Sequence, residues 1–252
     1  MYKLSTRITN ILFRLWKKKY PYIFSIKSHN VVGCDFEVSN STEEWRVKSL
    51  DDEHEFLAKF LSEISTNDIV YDIGTNIGIF SVHAAKKANK VYSFEPDPGF
   101  RKRLIRNIDL NMLNDKDIVI EWAVSDTQGI VTLYSDGESG SSPSLKKIGD
   151  RGEVEVKSNT IDDAISNDEI RTPNVIKIDI EGAEILALRG MKKLLESEES
   201  PRLIFIELHP VFLKDFDSTV DECKSIIEKA GYISEYSDVR DNQEHCIYRK
   251  NN

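Results

Sequence analysis

The 252-residue sequence has no run approaching the roughly 18 consecutive apolar residues that a membrane-crossing helix needs, so nothing in it reads as a bilayer span. Cysteine is scarce. Cys34, Cys223 and Cys246 are odd in number and far apart, which argues against a disulfide framework or a cysteine metal pattern and favours free thiols in a reducing cytosol. Positive charge is in deficit, with 34 Lys and Arg against 43 acids, and the net charge of -9 argues against nucleic acid as a partner of the whole surface. Of five histidines, His29, His54, His83 and His245 fall on predicted helices or peripheral strands without ligand spacing, so no histidine metal site is expected. Internal repeats are absent.

What is present suffices for a core: 40% hydrophobic and 31% charged residues suit one large domain with decorations, or a core domain plus a small extension. Residues 1–19 contain no acid but carry Lys3, Arg7, Arg14, Lys17, Lys18 and Lys19, while Leu4, Ile8, Ile11, Leu12, Leu15 and Trp16 recur at helical spacing. That pattern predicts a basic amphipathic helix, suited either to an anionic membrane surface on the cytoplasmic side or to packing on its own domain or a partner subunit. It lacks the uninterrupted apolar region and small-residue cleavage site of a signal peptide. A leading module follows to residue 67, with apolar segments around Val31 and Val47 and a helix from Asp52 to Ile64, placing substrate-facing or covering structure ahead of the first core strand.

From residue 68 to 252, strands alternate with helices. Strands are expected at 69–73, 90–95, 117–123, 174–179 and 202–208, with helices at 78–88, 98–112, 161–166, 183–195 and 218–230. Such alternation predicts an α/β fold with a doubly wound, mostly parallel sheet. Two β segments near 232–236 and 244–249 form an antiparallel C-terminal edge. Ile130–Tyr134 and Glu153–Lys157 read as an antiparallel pair around a polar Gly/Ser-rich stretch, Ser135 to Ser144, that is a solvated excursion or a lid.

The most informative segment runs from Asp68 to Pro98. The run D-I-V-Y-D-I-G-T-N-I-G describes a strand ending in Asp72, a tight turn at Gly74 and Gly78, and a helix; Glu95 stands at the tip of the next strand. In doubly wound sheets ligands bind at the carboxyl ends of the strands, and an acid about 20 residues past the glycine turn commonly holds ribose hydroxyls, so the expected ligand is a nucleoside. A dinucleotide would place its pyrophosphate on this turn. At about 4 Å and an effective dielectric near 20, a carboxylate such as Asp72 would repel each phosphate charge by about 4 kcal/mol, and the third glycine of the dinucleotide fingerprint is missing. S-adenosylmethionine, with a sulfonium and an ammonium and no phosphate, suits the site better; Gly74 and Gly78 allow close approach and Asn76 offers uncharged hydrogen bonds.

A second constellation lies at V-I-K-I-D-I-E-G-A-E and F-I-E-L-H-P, which bring Asp179, Glu181, Glu207 and His209 to the same rim. Acids converging there call for a cationic ligand, a metal, or acid–base chemistry. Lys177, two residues before Asp179 on the same strand face, is expected to be an internal counter-ion for one of them. His209 is the expected general base because imidazole titrates near neutrality, with Asp179 or Glu181 as rivals; a carboxylate magnesium site from Asp179, Glu181 and Glu207 is the alternative.

These runs, with F-E-P-D-P after the second strand, A-V-S-D at Ala123–Asp126 and T-I-D at Thr160–Asp162, resemble the FkbM family of S-adenosylmethionine-dependent methyltransferases over roughly residues 68–210. The resemblance implies a class I Rossmann-like fold and O-methylation of hydroxyls on sugars, glycans or other natural products. By position it implies cofactor binding at Asp72, Gly74, Asn76, Gly78, Glu95, Ala123 and Asp179, and a fourth-strand motif at Asp179, Glu181 and Gly182. Rival readings are a nicotinamide-dependent oxidoreductase, disfavoured by Asp72, and a non-catalytic nucleoside-binding scaffold. Residues 1–67 match no motif of the family, which leaves the acceptor and any homo-oligomer open.

Overall fold

The computed structural model describes residues 20–28, 31–48, 50–135, 142–147, 150–240 and 242–251. The basic segment 1–19 and the stretch 136–141 therefore lie outside the described residues. Two strands, β1 (Tyr22–Ser28) and β2 (Val31–Val38), pair antiparallel and lead into helices α1 (Ser41–Lys48) and α2 (Leu50–Glu63). The central sheet then begins with β3 (Ile69–Ile73), followed by α3 (Ile79–Ala85), β4 (Lys90–Phe94), α4 (Pro98–Leu110) and β5 (Asp117–Ile120). After β6 (Ala123–Val124), β7 (Gly129–Ser135), β8 (Gly152–Asn159) and α5 (Ile161–Ser166), the chain returns to the sheet through β9 (Val175–Ile178). It ends with α6 (Glu184–Gly190), α7 (Lys192–Glu196), β10 (Leu203–Leu208), α8 (Pro210–Leu213), α9 (Val220–Lys229), β11 (Tyr232–Arg240) and β12 (Gln243–Lys250).

The seven-stranded sheet has the order β11-β12-β10-β9-β3-β4-β5. Pairing is parallel from β10 through β5 and antiparallel at the β12 and β11 edge, as the alternation predicts. The chain moves from β3 outward to β5 on one side and from β9 outward to β10 on the other, so β3 and β9 flank the topological switch point.

Strand alternation sorts the core into two layers. Val70, Val91, Val175, Leu203 and Phe205 face one apolar cluster, whereas Ile69, Tyr71, Ile73, Ile176, Ile178, Ile204 and Ile206 face the other. The leading module belongs to the first: Phe36, Val38, Val47, Phe56 and Phe60 share that cluster, and the rings of Phe56 and Phe60 meet Phe205 at 5.5 and 5.2 Å. Polar ties fix its position. Arg103 on α4 grips the fully buried Glu43 through Nε at 2.9 Å and Glu37 through Nη1 at 2.8 Å. Asn107 accepts from the Glu37 amide at 2.9 Å while donating to Ile77 O at 2.7 Å, joining β2 to the turn after β3.

Two elements differ from the sequence expectation. The strand expected at 117–123 divides: β5 ends at Ile120, Trp122 packs against Phe94 at 5.1 Å, and β6 joins β7 and β8 in a separate three-stranded sheet. The helix expected at 183–195 breaks at Met191. Gly190 passes so close to Ser125 that an added Cβ would lie 1.9 Å from its carbonyl oxygen. The new helix α7 is then capped by Asp162, which accepts from the amides of Lys193 and Leu194 at 2.9 Å each. No helix of the described residues is long and apolar enough to cross a membrane.

Arg103→Ala should leave Glu43 buried without a cation, with only the Ser39 amide still donating to it at 2.6 Å, and cost about 3–5 kcal/mol of stability, the range for a broken buried ion pair. Urea unfolding of the two proteins would measure the difference; a loss below about 1 kcal/mol would mean that the leading module is held by apolar packing alone.

Candidate active site

Gly74 follows β3 and Asp179 follows β9, so the two meet at the switch point. Gly74 has φ +87, and a Cβ there would lie 1.8 Å from Asp179 O; only glycine lets the two strand ends close in this way. Across the turn every backbone N–H is already donated. Gly74 and Thr75 give theirs to Phe94 O at 3.1 and 3.2 Å, Asn76 to Glu95 Oε2 at 2.7 Å, Ile77 to Asn76 Oδ1 at 2.9 Å and Gly78 to Thr75 O at 3.0 Å. A pyrophosphate would find no amide cradle in it. A ligand without phosphate fits, and Glu95 is placed to receive its hydroxyls: its second oxygen accepts from Asp97 N at 2.9 Å, which orients the carboxyl. Burial, partly offset by these two amides, pushes the Glu95 pKa up to about 8.

A cavity of about 540 Å³ opens here, within the range of small-molecule sites. Gly74, Asn76, Glu95, Ala123, Asp179 and Glu181 line it, together with Lys177 and Glu207. Asp72 and Gly78 do not. Asp72 is fully buried beneath the lining, where it accepts from Ser81 Oγ at 2.6 Å and faces Lys177 Nζ at 3.4 Å. Gly78, at φ +94, is a packing position whose added Cβ would strike Leu104 Cδ1 at 2.6 Å.

Lys177 is the counter-ion that its strand position predicts. Its Nζ lies 3.3 Å from Asp179 Oδ2 and 5.0 Å from the centre of the Phe80 ring. Burial opposes its charge, but Asp72, Asp179 and Glu207 outweigh that and hold its pKa above the ordinary range.

His209 completes the rim. Nδ1 donates to Glu184 Oε1 at 2.8 Å, which aims Nε2 at Glu207 Oε1 (3.3 Å), Glu181 Oε2 (3.7 Å) and Asp179 Oδ1 (3.9 Å). Ligand-type atoms of Asp179, Glu181 and His209 lie within 4.8 Å of one another, a spacing that suits one metal ion or one positive charge between the two acids. The ring itself can supply that charge. Burial opposes protonation, but the hydrogen bonds to Glu184 and Glu207, with the charge of Asp179, push the His209 pKa up to about 11. Burial raises the Glu181 pKa to about 7, with His209 pulling it back, and raises that of Asp179, with the charge of Glu207 adding to the effect. Glu207, despite its burial, is held well below the carboxylate range by His209 and His245.

Four participants were not singled out from the sequence. Glu184 sits on the first turn of α6. His245 lies opposite Glu207 in the β10–β12 register, with Nε2 at 3.0 Å from Glu207 Oε2. Trp45 and Arg46 of α1 line the cavity, and so do Ser142 and Pro143 at the end of the polar stretch and Leu145 just after it. Pro210 occupies the first turn of α8, where its missing N–H costs nothing.

The sequence profile described as the methyltransferase FkbM domain matches residues 72–234. The hexuronic acid methyltransferase AglP of Haloferax volcanii is 29% identical over 190 residues, covering 75% of this chain and 76% of its own. The 31-O-demethyl-FK506 methyltransferase FkbM of Streptomyces tacrolimicus is 26% identical over 204 residues, covering 68% of this chain and 74% of its own. Among solved structures, the tRNA m1G37 methyltransferase of M. jannaschii superposes with a TM-score of 0.51 at 15% identity. It covers 93% of this chain, which spans 58% of that longer one, and the likeness speaks for the fold alone.

Glu95→Ala should weaken S-adenosylmethionine binding by about 1–3 kcal/mol, as expected when one partner of a buried hydrogen bond is removed. Asp72→Asn should instead cost about 3–5 kcal/mol of stability by leaving Lys177 underpaired, with a smaller change in affinity. Calorimetric titration with S-adenosylhomocysteine and urea unfolding separate the two; a loss of affinity in Asp72→Asn with stability intact would place that carboxylate in contact with the ligand.

Proposed function

The chain belongs to the FkbM methyltransferase family and uses S-adenosylmethionine, and from that premise we propose that it O-methylates a hydroxyl of a sugar or glycan. The observation that carries this reading is the cluster of acids in the cavity that also holds the cofactor-side residues: Glu95 and Asn76 share it with Asp179, Glu181 and Glu207. A hydroxyl acceptor has a proton to lose, and such a cavity offers somewhere for it to go. Among the relatives, the name of AglP speaks of hexuronic acid, which supports a sugar as the acceptor class.

When bound, S-adenosylmethionine supplies a methyl group on a positively charged sulfur. The chain must orient the acceptor oxygen for in-line attack, exclude water and take the hydroxyl proton. We assign that last task to Glu181 rather than His209. Glu181 lines the cavity and keeps 24% of its side-chain surface exposed, whereas His209 keeps 6%, does not line the cavity and has both ring nitrogens turned to carboxylates. An imidazole with a pKa near 11 is already protonated at neutral pH and cannot accept. A carboxylate near 7 can both accept a proton and pass it on to water. In this arrangement His209 is the fixed cation beside the base, and Asp179 is engaged by Lys177.

A base must be deprotonated to act, so the rate should rise with pH and level off above about 7. Glu181→Gln should lower kcat by roughly 10²–10⁴-fold and abolish that rise while leaving cofactor affinity nearly intact. The assay is transfer of a labelled methyl from S-adenosylmethionine to neutral and acidic glycans, read by mass spectrometry. Retention of the acidic limb in Glu181→Gln and its loss in His209→Gln would return the role to His209; labelling of no glycan would remove the sugar reading.

A further inference from the structure

Helix α1 lies outside the residues that match the family profile, yet it forms part of the cavity wall. Thr42, Trp45 and Arg46 stand at i, i+3 and i+4, so they share one face of the helix, and all three line the cavity. The opposite face is anchored: Glu43 is fully buried in the grip of Arg103, and Val47 is buried in the core. The helix cannot roll to withdraw its cavity face without breaking a buried ion pair, so that face is set before a ligand arrives.

Trp45 keeps 66% of its surface exposed at this cavity, on a helix that cannot tuck it away. The face of an indole carries partial negative charge and attracts the C–H groups of a ring laid flat upon it. A pyranose has that shape: C–H groups cover one face of the ring, while its hydroxyls project from the rim and need acceptors. The lining supplies them. Among the described residues it contains four carboxyl groups, Glu95, Asp179, Glu181 and Glu207, against two cations, Arg46 and Lys177.

Both cations are already engaged. Lys177 is held between Asp72 and Asp179. Arg46 lies over the Phe100 ring at 5.4 Å and reaches Ser142 Oγ at 3.5 Å; burial works against its charge, and Glu181, Glu43, Asp179 and Glu95 stabilise it. A carboxylate on the acceptor would enter a lining already in excess of acid, with both of its cations committed. It would also raise the pKa of the acids beside it, so Glu181 would keep its proton at a pH where it has to accept one.

We propose that Trp45 is the platform of the acceptor subsite and that the acceptor is an uncharged sugar, its ring stacked on the indole and one of its hydroxyls turned to Glu181. This rests on the sugar-hydroxyl reading above and adds to it a stacking residue and a limit on charge.

The test is titration of the full-length protein, saturated with S-adenosylhomocysteine, with disaccharides ending in glucose, galactose or mannose and with the matching uronates, read by calorimetry and by tryptophan fluorescence. At least one neutral disaccharide should bind, tenfold or more tighter than its uronate, and shift the emission. The same order should hold for kcat/KM of methyl transfer from S-adenosylmethionine, where the positive sulfur is present. Trp45→Ala should weaken the neutral sugar tenfold or more. Trp45→Phe should keep most of the affinity and lose most of the emission shift, because a ring remains to stack on and the reporting indole does not. Both variants should keep the urea midpoint, since the side chain is mostly exposed. If a uronate binds or is methylated as well as its neutral counterpart, or Trp45→Ala leaves neutral binding intact, the subsite assignment is wrong while the sugar reading stands. If no disaccharide binds the loaded wild-type protein, the sugar reading falls and the subsite with it.

Discussion

The buried ammonium of Lys177 is the constraint around which the site is organised. Two strands that meet at the switch point both end in acids, and parallel pairing places Asp72 beside Lys177 in register. Without a cation between them, Asp72 and Asp179 would face each other across a low-dielectric gap, and the strand ends could not close as tightly as Gly74 permits. The ammonium also reaches Gly74 O at 3.4 Å, so the same group that neutralises the acids holds the glycine turn. On the far side of Asp72 a buried chain runs through Ser81 and Ser93 to Asp117, with contacts of 2.6, 2.7 and 2.6 Å. Three hydrogen bonds need three protons, and two hydroxyls provide two. The third belongs on Asp117, whose pKa burial pushes up to about 7. Asp72 thus faces Lys177 on one side and this hydroxyl chain on the other.

His209 does for the outer acids what Lys177 does for the inner ones, with one difference that gives the site its chemistry. Lys177 is enclosed between its partners. His209 is fixed from behind by Glu184 and faces carboxylates of unequal exposure, so the same positive charge acts on Glu207, which is held ionised, and on Glu181, which burial leaves poised near neutrality. His245 reinforces the first of these from β12. The result is a set of acids near neighbouring strand tips whose surroundings hold them in unequal states.

How far this was legible in the sequence follows from which interactions are local. The glycine turn, the acids at the strand ends, Lys177 two residues before Asp179 and the parallel order of strands all follow from spacing within one element or from alternation between elements. What escaped is set by register or by long-range packing. His245 meets Glu207 only once the antiparallel edge has been aligned, and a one-residue slip would turn it to the other face. Glu184 reads as an ordinary acid in the first turn of a helix. The break at Met191 comes from Gly190 pressing on Ser125, 65 residues away in sequence on the arithmetic of 190 less 125, which no helical periodicity encodes. The surroundings of His209 are the instructive case: Asp179, Glu181 and Glu207 were legible as neighbours on one rim, but Glu184, which fixes the ring through Nδ1, was not, and the sequence alone does not say how these acids act together on the imidazole.

The division of the chain between chemistry and recognition follows from the same geometry. The glycine turn, the counter-ion and the acid cluster of the cavity all arise at or just after β3, β4, β9 and β10, whose ends are fixed by the sheet and lie largely within the matched family profile. The α1 wall precedes that profile and is attached to it by Arg103 on α4, the helix that leaves the strand tip bearing Glu95, while Asn107 of the same helix holds the preceding strand β2. A change on the exposed face of α1 alters what the cavity meets without moving a strand end, because Glu43 and Val47 hold the opposite face in place.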